Sequence, residues 1–194
     1  MALIPANISG MMDSIIRNGV AHGNRYEVVI LPPRELQVQT DFLNQLTVRC
    51  SSVSLPSKTL QTQSNRLYGP ARNFPFEIAY AGEMNMTYVM SADMRERRFF
   101  EAWLDFICNP EDFKMEFYDN YVTEIQIYTL GRDDSITQLC ILEEAYPKAV
   151  GEIQLGYDKD GDLMQQEVTF HFRKFRSSYS EYNSTPRISP TISP

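Results

Sequence analysis

The chain offers few side chains for catalysis, because its 194 residues include only two histidines. His22 stands beside Gly23 in a predicted loop, and His171 lies on the polar face of a predicted strand. A Ser-His-Asp or Cys-His site would depend wholly on these two imidazoles. No cysteine or carboxylate pattern places a nucleophile and a base around either one. We therefore expect ordinary polar surface at both positions and predict no catalytic residues and no enzyme.

An acidic run at residues 158–162, with aspartates at alternate positions, matches the start of an EF-hand calcium loop. The rest of that pattern fails. Leu163 takes the sixth position, where the sharp turn requires glycine, and Thr169 takes the twelfth, where a bidentate glutamate is required. No helices are predicted on either side. We interpret the run as a turn between strands and predict no metal site.

Three pairs of neighbouring carboxylates occur, at residues 111–112, 133–134 and 143–144. Paired carboxylates can act as general acid and base. On a strand, however, neighbouring side chains point to opposite faces of the sheet, so adjacent acids make poor catalytic pairs. The sequence also lacks a glycine-rich phosphate-binding loop. A solvated or interface role is favoured for these acids, and no cofactor is predicted.

The three cysteines, Cys50, Cys108 and Cys140, are odd in number and lack metal-binding spacing. They predict free thiols in a reducing compartment. The N-terminal residues lack the basic and long apolar regions of a signal peptide. No stretch reaches the ~18 apolar residues of a membrane span. We expect a soluble protein that is made in the cytoplasm and has no membrane partner.

Charge is unevenly distributed along the chain, whose formal net charge is −7. Residues 49–76 contain four bases and no acid, whereas residues 101–167 contain 16 acids and four bases, a net of −12. An acidic chain is unsuited to gripping a phosphate backbone. One unmixed stretch of each sign suits head-to-tail self-association, and two solvated faces are the alternative.

The elements that would position these residues are mostly strands, since aromatic residues make up 12% of the chain and alternating segments are frequent. A turn at Pro147-Lys148 and the acidic run separate the later ones. A short N-terminal helix is predicted over residues 7–18. The predicted strands cover residues 26–31, 43–54, 76–90, 114–118, 121–129, 137–146, 152–157 and 167–175.

Residues 57–75 are polar and basic, and they contain little that could fill a core. They predict two weak strand arms that form a long protruding hairpin. Because an isolated hairpin is only marginally stable, we expect its partner to lie outside its own domain. The three predicted regions of the chain are an N-terminal extension at 1–23, a β-domain at 24–176 and a mobile or partner-docking tail at 177–194.

The clearest helix is predicted over Asp93–Cys108, with Asp93 as its N-cap and Glu96 at the capping-box position. It ends at Asn109-Pro110. A broad apolar face runs along it, which should cover one face of the sheet. The residues of this face that we expect to pack on the sheet are Phe99, Phe100, Trp103, Leu104 and Ile107.

Residues 145–175 resemble the closing strands of the tube proteins of contractile-tailed phages, the myoviruses. The shared order begins with Tyr146-Pro147 and continues with Val150-Gly151-Glu152. An apolar–Gln–apolar strand at 153–155, an acidic turn and an alternating final strand follow. Each motif alone is common, and their order and spacing carry the resemblance.

The upstream order is also similar to that family. A strand starts at Tyr26, Cys50 is followed by Leu55-Pro56, and a long hairpin leads to a helix containing Phe99-Phe100 and Trp103. The resemblance covers roughly residues 8–175. Related proteins form the tubes of tailocins and type VI secretion systems.

This resemblance implies a mainly β fold: two antiparallel sheets packed as a sandwich or barrel, with one flanking helix, a short N-terminal helix and a protruding hairpin. It implies that six copies form a ring and that rings stack head to tail around a lumen. Double-stranded DNA would pass through this lumen without specific binding. Further partners would be the tail sheath, baseplate and tail terminator proteins. The location would be the virion tail, assembled in the host cytoplasm.

Within such a tube, we predict inter-ring contacts between the basic stretch on one surface and acids on the opposite surface. Reversal of Arg66 and Arg72 to Glu should abolish tube growth and leave rings intact. The residues assigned to stacking are Arg49, Lys58, Arg66, Arg72, Glu143 and Glu144.

Other functions are compatible with the same residues. A tube-like baseplate protein would share the fold but occur as one ring, and a type VI secretion tube subunit is a further alternative. A different class is a calcium-dependent or carbohydrate-binding β-sandwich. Cation binding that is lost in Asp160→Asn would support that class.

Overall fold

The structure, a computed structural model, describes residues 12, 21–36, 38–66, 68–157 and 161–179. The predicted N-terminal helix lies outside these residues except for Met12, which has helical backbone. The centre of the acidic run and the chain beyond Tyr179 also lie outside them. None of the helices in the described ranges combines the length and hydropathy that crossing a bilayer requires.

Strands dominate the described residues, which confirms the prediction of a mainly β fold. Three helices accompany them: α1 at Thr40–Arg49, α2 at Arg95–Ile107 and the single turn α3 at Tyr118–Tyr121. The strands are β1 at Tyr26–Ile30, β2 at Cys50–Val53, β3 at Lys58–Asn65, β4 at Arg72–Tyr80, β5 at Glu83–Val89, β6 at Thr123–Leu130, β7 at Ile136–Val150, β8 at Gln165–His171 and β9 at Lys174–Tyr179.

The long strand β7 belongs to two antiparallel sheets. Its first part pairs with β6 and β9, and β6 pairs with β1. Its last residues, from Tyr146 to Val150, pair with β8, which continues through β5 to β2. The two sheets thus share one strand and form an open sandwich, as expected. Strands β3 and β4 form a separate two-stranded hairpin.

The turn predicted at Pro147-Lys148 was wrong, because β7 runs through both residues. The register of β7 against β8 shifts between Pro147 and Ala149. A register shift leaves a residue outside the regular ladder, where a missing N–H costs no hydrogen bond. Proline therefore marks an irregularity within the strand here instead of its end.

Helix α2 covers the second sheet with the apolar face expected from the sequence. Phe99, Phe100, Trp103 and Ile107 are buried and Leu104 is half-buried. The rings of Phe100 and Trp103 lie 5.8 and 6.4 Å from that of Phe170 on β8. The Trp103 indole N–H donates to the Tyr121 carbonyl oxygen at 3.1 Å, so its polar atom is satisfied inside the core.

The start of α2 differs from the predicted capping box. Met94, in the left-handed region at φ 52°, is the N-cap residue in place of Asp93, and it makes no side-chain capping hydrogen bond. Glu96 instead accepts hydrogen bonds from the Ser91 backbone N–H at 2.9 Å and from its hydroxyl at 2.8 Å. The Glu96 side chain is 2% exposed, and it also pairs with Arg49. A buried carboxylate needs several donors, and Ser91 and Arg49 supply more than the Asp93 backbone could.

The strand predicted over residues 43–54 was wrong in its first half, which forms α1. Its apolar residues follow helical spacing: Phe42 and Leu46 are four apart, Leu46 is buried, and the Phe42 ring lies 5.5 Å from that of Phe99. Val48, expected on the same face as Leu46, is 84% exposed. Only Cys50–Val53 remains as strand β2.

Four smaller strand predictions also need correction. The strand predicted over 76–90 divides into the end of β4 and strand β5, which belong to different sheets. Within 114–118 the structure has only an isolated bridge from Met115 to Cys108, followed by α3. Residues 152–157 join no sheet. The predicted final strand divides into β8 and β9, and β9 continues to Tyr179, into the region expected to be a tail.

Candidate assembly surfaces

The β3–β4 hairpin contributes nothing to the core of its own chain. Every residue of β3 is exposed, and so is every residue of β4 except the half-buried Ala79. Leu60 and Ile78 are cross-strand partners, and both are exposed. Phe74 and Phe76 are exposed on the same hairpin. Such side chains lose contact with water only if another molecule covers them.

Both ends of the hairpin have defined contacts. At its base, the Ala81 N–H donates to the Ser57 carbonyl oxygen at 3.1 Å, and the Tyr80 ring lies 5.6 Å from that of Phe175. At its tip, the Arg66 Nε donates to the Gly69 carbonyl oxygen at 2.9 Å. Gly69 has φ 75°, which favours glycine. The arm is therefore an ordered element.

The four bases assigned to stacking fall into two groups. Lys58, Arg66 and Arg72 lie on the hairpin and are exposed, and none of them takes part in an ion pair within the described residues. Arg49 ends α1, and its Nε lies 3.3 Å from the Oε1 of Glu96. A stacking role for the three hairpin bases stays a prediction. Arg49 has a partner inside its own chain.

The acids assigned to stacking, Glu143 and Glu144, lie at an irregular point of β7. Glu144 has φ 55°, and the register against β6 shifts beside it. Glu143 pairs with Lys174 at 2.8 Å and with Arg176. Glu144 pairs with Arg173 at 2.7 Å. These bases lie about thirty positions away in the sequence, so only the fold reveals the pairs.

These contacts shift the pKa values of both glutamates and of their neighbours. The hydrogen bond from Lys174 lowers the pKa of Glu143, and that from Arg173, assisted by Tyr118, lowers the pKa of Glu144. Burial, together with the hydrogen bond that its hydroxyl donates to Glu144 at 2.9 Å, raises the pKa of Tyr118 to about 12. Both glutamates are thus ionised and partnered inside the chain at neutral pH. Their contact with another copy stays a prediction.

A groove lies between Glu152–Gly156 and Asp162–Gln165, with a volume of about 420 Å³. Its rim carries Leu155 and Leu163, which are 78% and 73% exposed. Glu152 and Asp162 are exposed beside them and join no ion pair of the described residues. Sequence reasoning missed this surface, because the alternation of its apolar residues indicated a paired strand.

A third exposed surface is the loop between α2 and α3. Phe113, Met115 and Phe117 are all largely exposed there. The loop is held by backbone hydrogen bonds from Phe113 to Asn109 and from Glu116 to the end of α2, at 2.9 Å each. The apolar side chains are therefore displayed from a fixed backbone. Sequence reasoning missed this surface too, having placed a strand there.

Groups that could do chemistry are dispersed in the structure. The His171 ring lies 5.3 Å from that of Tyr146, and His22 is exposed at the surface. Burial raises the pKa of the Cys50 thiol to about 11 and also raises that of Cys140, which disfavours a reactive thiolate. Among the described residues no cluster of three or more histidine, cysteine or carboxylate side chains could hold a metal ion.

Residues 21–178 match the family model described as phage tail tube protein. Comparison with curated protein sequences gives no significant match.

Among solved structures, the chain is similar to one in the sheath–tube complex of PVC, an extracellular contractile injection system, in its extended state. The TM-score is 0.59 at 13% identity, over 86% of this chain and 97% of that one. It is also similar to a chain of the six-fold symmetrised baseplate of the anti-feeding prophage AFP. Here the TM-score is 0.60 at 11% identity, over 82% and 96% of the two chains. A chain of the AFP tube-terminating cap gives a TM-score of 0.56 at 12% identity, over 83% and 92%. At these identities the likeness shows a common fold.

Proposed function

Because the chain belongs to the phage tail tube protein family, we propose that it is the subunit of hexameric rings that stack into the inner tube of a contractile tail. The tube conducts double-stranded DNA during ejection. The role is structural, and it requires no catalysis, cofactor or metal.

The β3–β4 hairpin is the observation that carries this proposal. It is ordered and it exposes apolar side chains on both strands, including Leu60 and Ile78, that its own chain leaves uncovered. A second copy supplies the missing cover when the hairpin reaches the adjacent ring. Among the described residues, β1 and β9 are the edge strands of the first sheet, and β2 is an edge strand of the second. Edge-to-edge joining of copies within a ring would satisfy such edges.

The charge of the chain supports a conduit for DNA. With a net charge of −7, the chain as a whole repels phosphates. A basic wall would release counterions on binding DNA and hold it in a salt-dependent manner. An acidic or neutral lumen lets the duplex pass without specific contacts.

The partners proposed beyond the chain itself are the tail sheath, baseplate and tail terminator proteins. Similar chains occur in a sheath–tube complex, a baseplate and a tube-terminating cap, which supports this set. The location is the tail of the virion, and assembly takes place in the host cytoplasm.

We divide the chain by role into an extension at 1–23, a tube body at 24–176 and a partner-docking tail at 177–194. Strand β9 runs to Tyr179 along β7, so the first three residues of this tail are held by the body. Docking on a partner then falls to the residues after Tyr179.

A tube-like baseplate protein that starts or ends the tube is the second candidate. The likeness to a chain of the AFP baseplate favours it. Such a protein would occur as one ring per particle, whereas a tube subunit occurs in many rings. The number of copies per purified particle separates the two.

Negative-stain microscopy of the purified full-length chain tests the proposal. We expect hollow rods or stacked rings with six-fold end views. The double variant Arg66→Glu with Arg72→Glu should form rings that do not grow into rods. A chain that stays a folded monomer at high concentration would refute the tube function.

A further inference from the structure

The hairpin and the acidic groove lie at opposite ends of strand β8. Its pairing with β5 runs from Gln165 opposite Val89 to His171 opposite Glu83. The hairpin joins the sheet one residue before Glu83, at Gly82. The groove includes Gln165, where β8 begins. One length of strand therefore separates the two surfaces.

The direction of β2 places the base of the hairpin at the end of the sheet opposite the groove. Cys50 is opposite Tyr88, and Val53 is opposite Met86, so β2 advances towards the Glu83 end of β5. The chain then continues into β3. Since β3 has eight residues, the arm extends roughly 26 Å. In a head-to-tail stack, this arm points at the groove end of the next copy.

The tip of the hairpin and the groove are chemically complementary. Arg66 and Arg72 flank the tip, and between them Tyr68 is 95% exposed. The groove presents the carboxylates of Glu152 and Asp162 beside apolar side chains. The hairpin from 58 to 80 has three bases and one acid. The apolar side chains lining the groove are Ile153, Leu155, Leu163 and Met164.

We infer that the hairpin tip of one copy docks in the groove between Glu152–Gly156 and Asp162–Gln165 of a copy in the adjacent ring. Arg66 and Arg72 pair with Glu152 and Asp162, and the Tyr68 ring covers the exposed leucines. This inference rests on the proposed function and identifies the receiving surface for the arm. It replaces Glu143 and Glu144 as the acidic partners, because those two are already paired within their own chain.

The acidic and apolar loop between α2 and α3 is the competing receiver, and its position disfavours it. Ring contacts connect Tyr118 through Tyr121 and Tyr146 to His171, with centroids 5.3 to 5.5 Å apart. These rings thus connect the end of the loop that joins α3 to the His171 end of β8, the end from which its own hairpin leaves. In a head-to-tail stack, the hairpin of one copy meets the opposite end of the next copy, which is the end that carries the groove.

Each copy then has one arm and one groove, on different surfaces. Such a heterologous contact does not close between two copies, and it continues from ring to ring. Charge pairing fixes which end of a ring accepts the next one. The contact gives every ring of the stack the same orientation without any further protein.

A charge exchange in the full-length chain tests the assignment. Arg66→Glu with Arg72→Glu, and separately Glu152→Arg with Asp162→Arg, should each raise the critical concentration for rod formation at least about tenfold, equivalent to about 1.4 kcal/mol. Combining all four substitutions should return it to within about threefold of the wild type, because coupled sites are not additive. Thermal unfolding below the assembly concentration checks that each variant folds.

The matched control places the two new arginines in the loop between α2 and α3 instead of in the groove. Arg66→Glu and Arg72→Glu combined with Glu111→Arg and Glu116→Arg should stay as defective as the hairpin variant alone. Rescue by this combination, or failure of the four-residue exchange to rescue, would overturn the groove assignment. Wild-type chain that forms no rods at all would overturn the tube function as well, so the two failures are distinguishable.

Cross-linking gives an independent readout. A chain with Tyr68→Cys and Leu155→Cys should form a ladder of disulfide-linked multimers under oxidising conditions once rods assemble. The control is Tyr68→Cys with Phe113→Cys, which should form no disulfide-linked multimers. A ladder only in the control would place the arm on the loop between α2 and α3.

Discussion

Strands β8 and β4 both carry apolar side chains at alternate positions, and their environments are opposite. Val168 and Phe170 on β8 are 0% exposed, whereas Phe76 and Ile78 on β4 are 66% and 49% exposed. Helix α2 covers β8, whereas within the described chain β4 is covered only at its end, where Tyr80 contacts Phe175 of β9. This difference shows that the alternation of apolar residues predicts a paired strand. It does not predict whether the same chain or another molecule covers the apolar face.

Charged side chains differ between the same two regions. In the body, Glu143 and Glu144 are neutralised by bases of β9 and the turn before it. On the hairpin, Lys58, Arg66 and Arg72 join no ion pair of the described residues. Uncovered apolar groups and unpaired bases on one arm together indicate a surface made for another chain.

The largest effect on folding should come from Trp103→Ala in the body. Removing this buried ring leaves a cavity beside Phe170, and the free energy of unfolding should fall by about 3–5 kcal/mol. Urea unfolding below the assembly concentration measures it. Phe76→Ala is the matched hairpin control and should change the value by less than about 0.5 kcal/mol. Equal losses in both variants would abolish the distinction between the regions.

Arg49→Ala should have an intermediate effect on the free energy of unfolding, because it leaves the buried carboxylate of Glu96 without its ion-pair partner. Two hydrogen bonds from Ser91 remain, so the loss should be about 1–3 kcal/mol. Arg72→Ala removes the same side-chain type from the hairpin and should leave the free energy of unfolding unchanged. If Arg49→Ala were also neutral in unfolding and defective only in assembly, Arg49 would belong with the hairpin bases.

The smallest effect should be a change in acid sensitivity. The folded pKa values of Glu143 and Glu144 lie below the ordinary value of about 4.3. Their contribution to stability is therefore complete above that value and is lost as pH falls through the lower folded values. Glu143→Gln with Glu144→Gln should show a shallower fall of Tm between about pH 5 and pH 3 than the wild type. Thermal unfolding at a series of pH values measures this slope. An unchanged slope would mean that the ion pairs add nothing to the body.

Much of the fold could be predicted from the sequence, because its main signals are local. The apolar face containing Phe100 and Trp103 predicted α2 to within two residues of its observed start. Alternation predicted most strands, and the poverty of core residues predicted the hairpin as far as residue 75, whereas residues 76–80 were assigned to the strand that follows it. Helix α1 was missed because Leu46, Val48 and Cys50 alternate by chance, while the i,i+4 pair of Phe42 and Leu46 decides the structure.

The candidate surfaces were harder to predict, because they depend on contacts between distant segments. Nothing near Glu143 in the sequence shows that Lys174 and Arg176 would neutralise it. The acidic groove arises where Glu152–Gly156 meets Asp162–Gln165 without pairing into a sheet. Hydrophobic periodicity cannot distinguish such an unpaired apolar edge from a strand.

The strand shared by both sheets has a mechanical consequence. Because β7 passes from one layer to the other between Ala145 and Tyr146 without a turn, covalent backbone joins the layers. A shift of β7 by one residue in one layer would therefore also change its pairing register in the other layer. The angle between the layers is therefore set inside each copy, before it meets a second one.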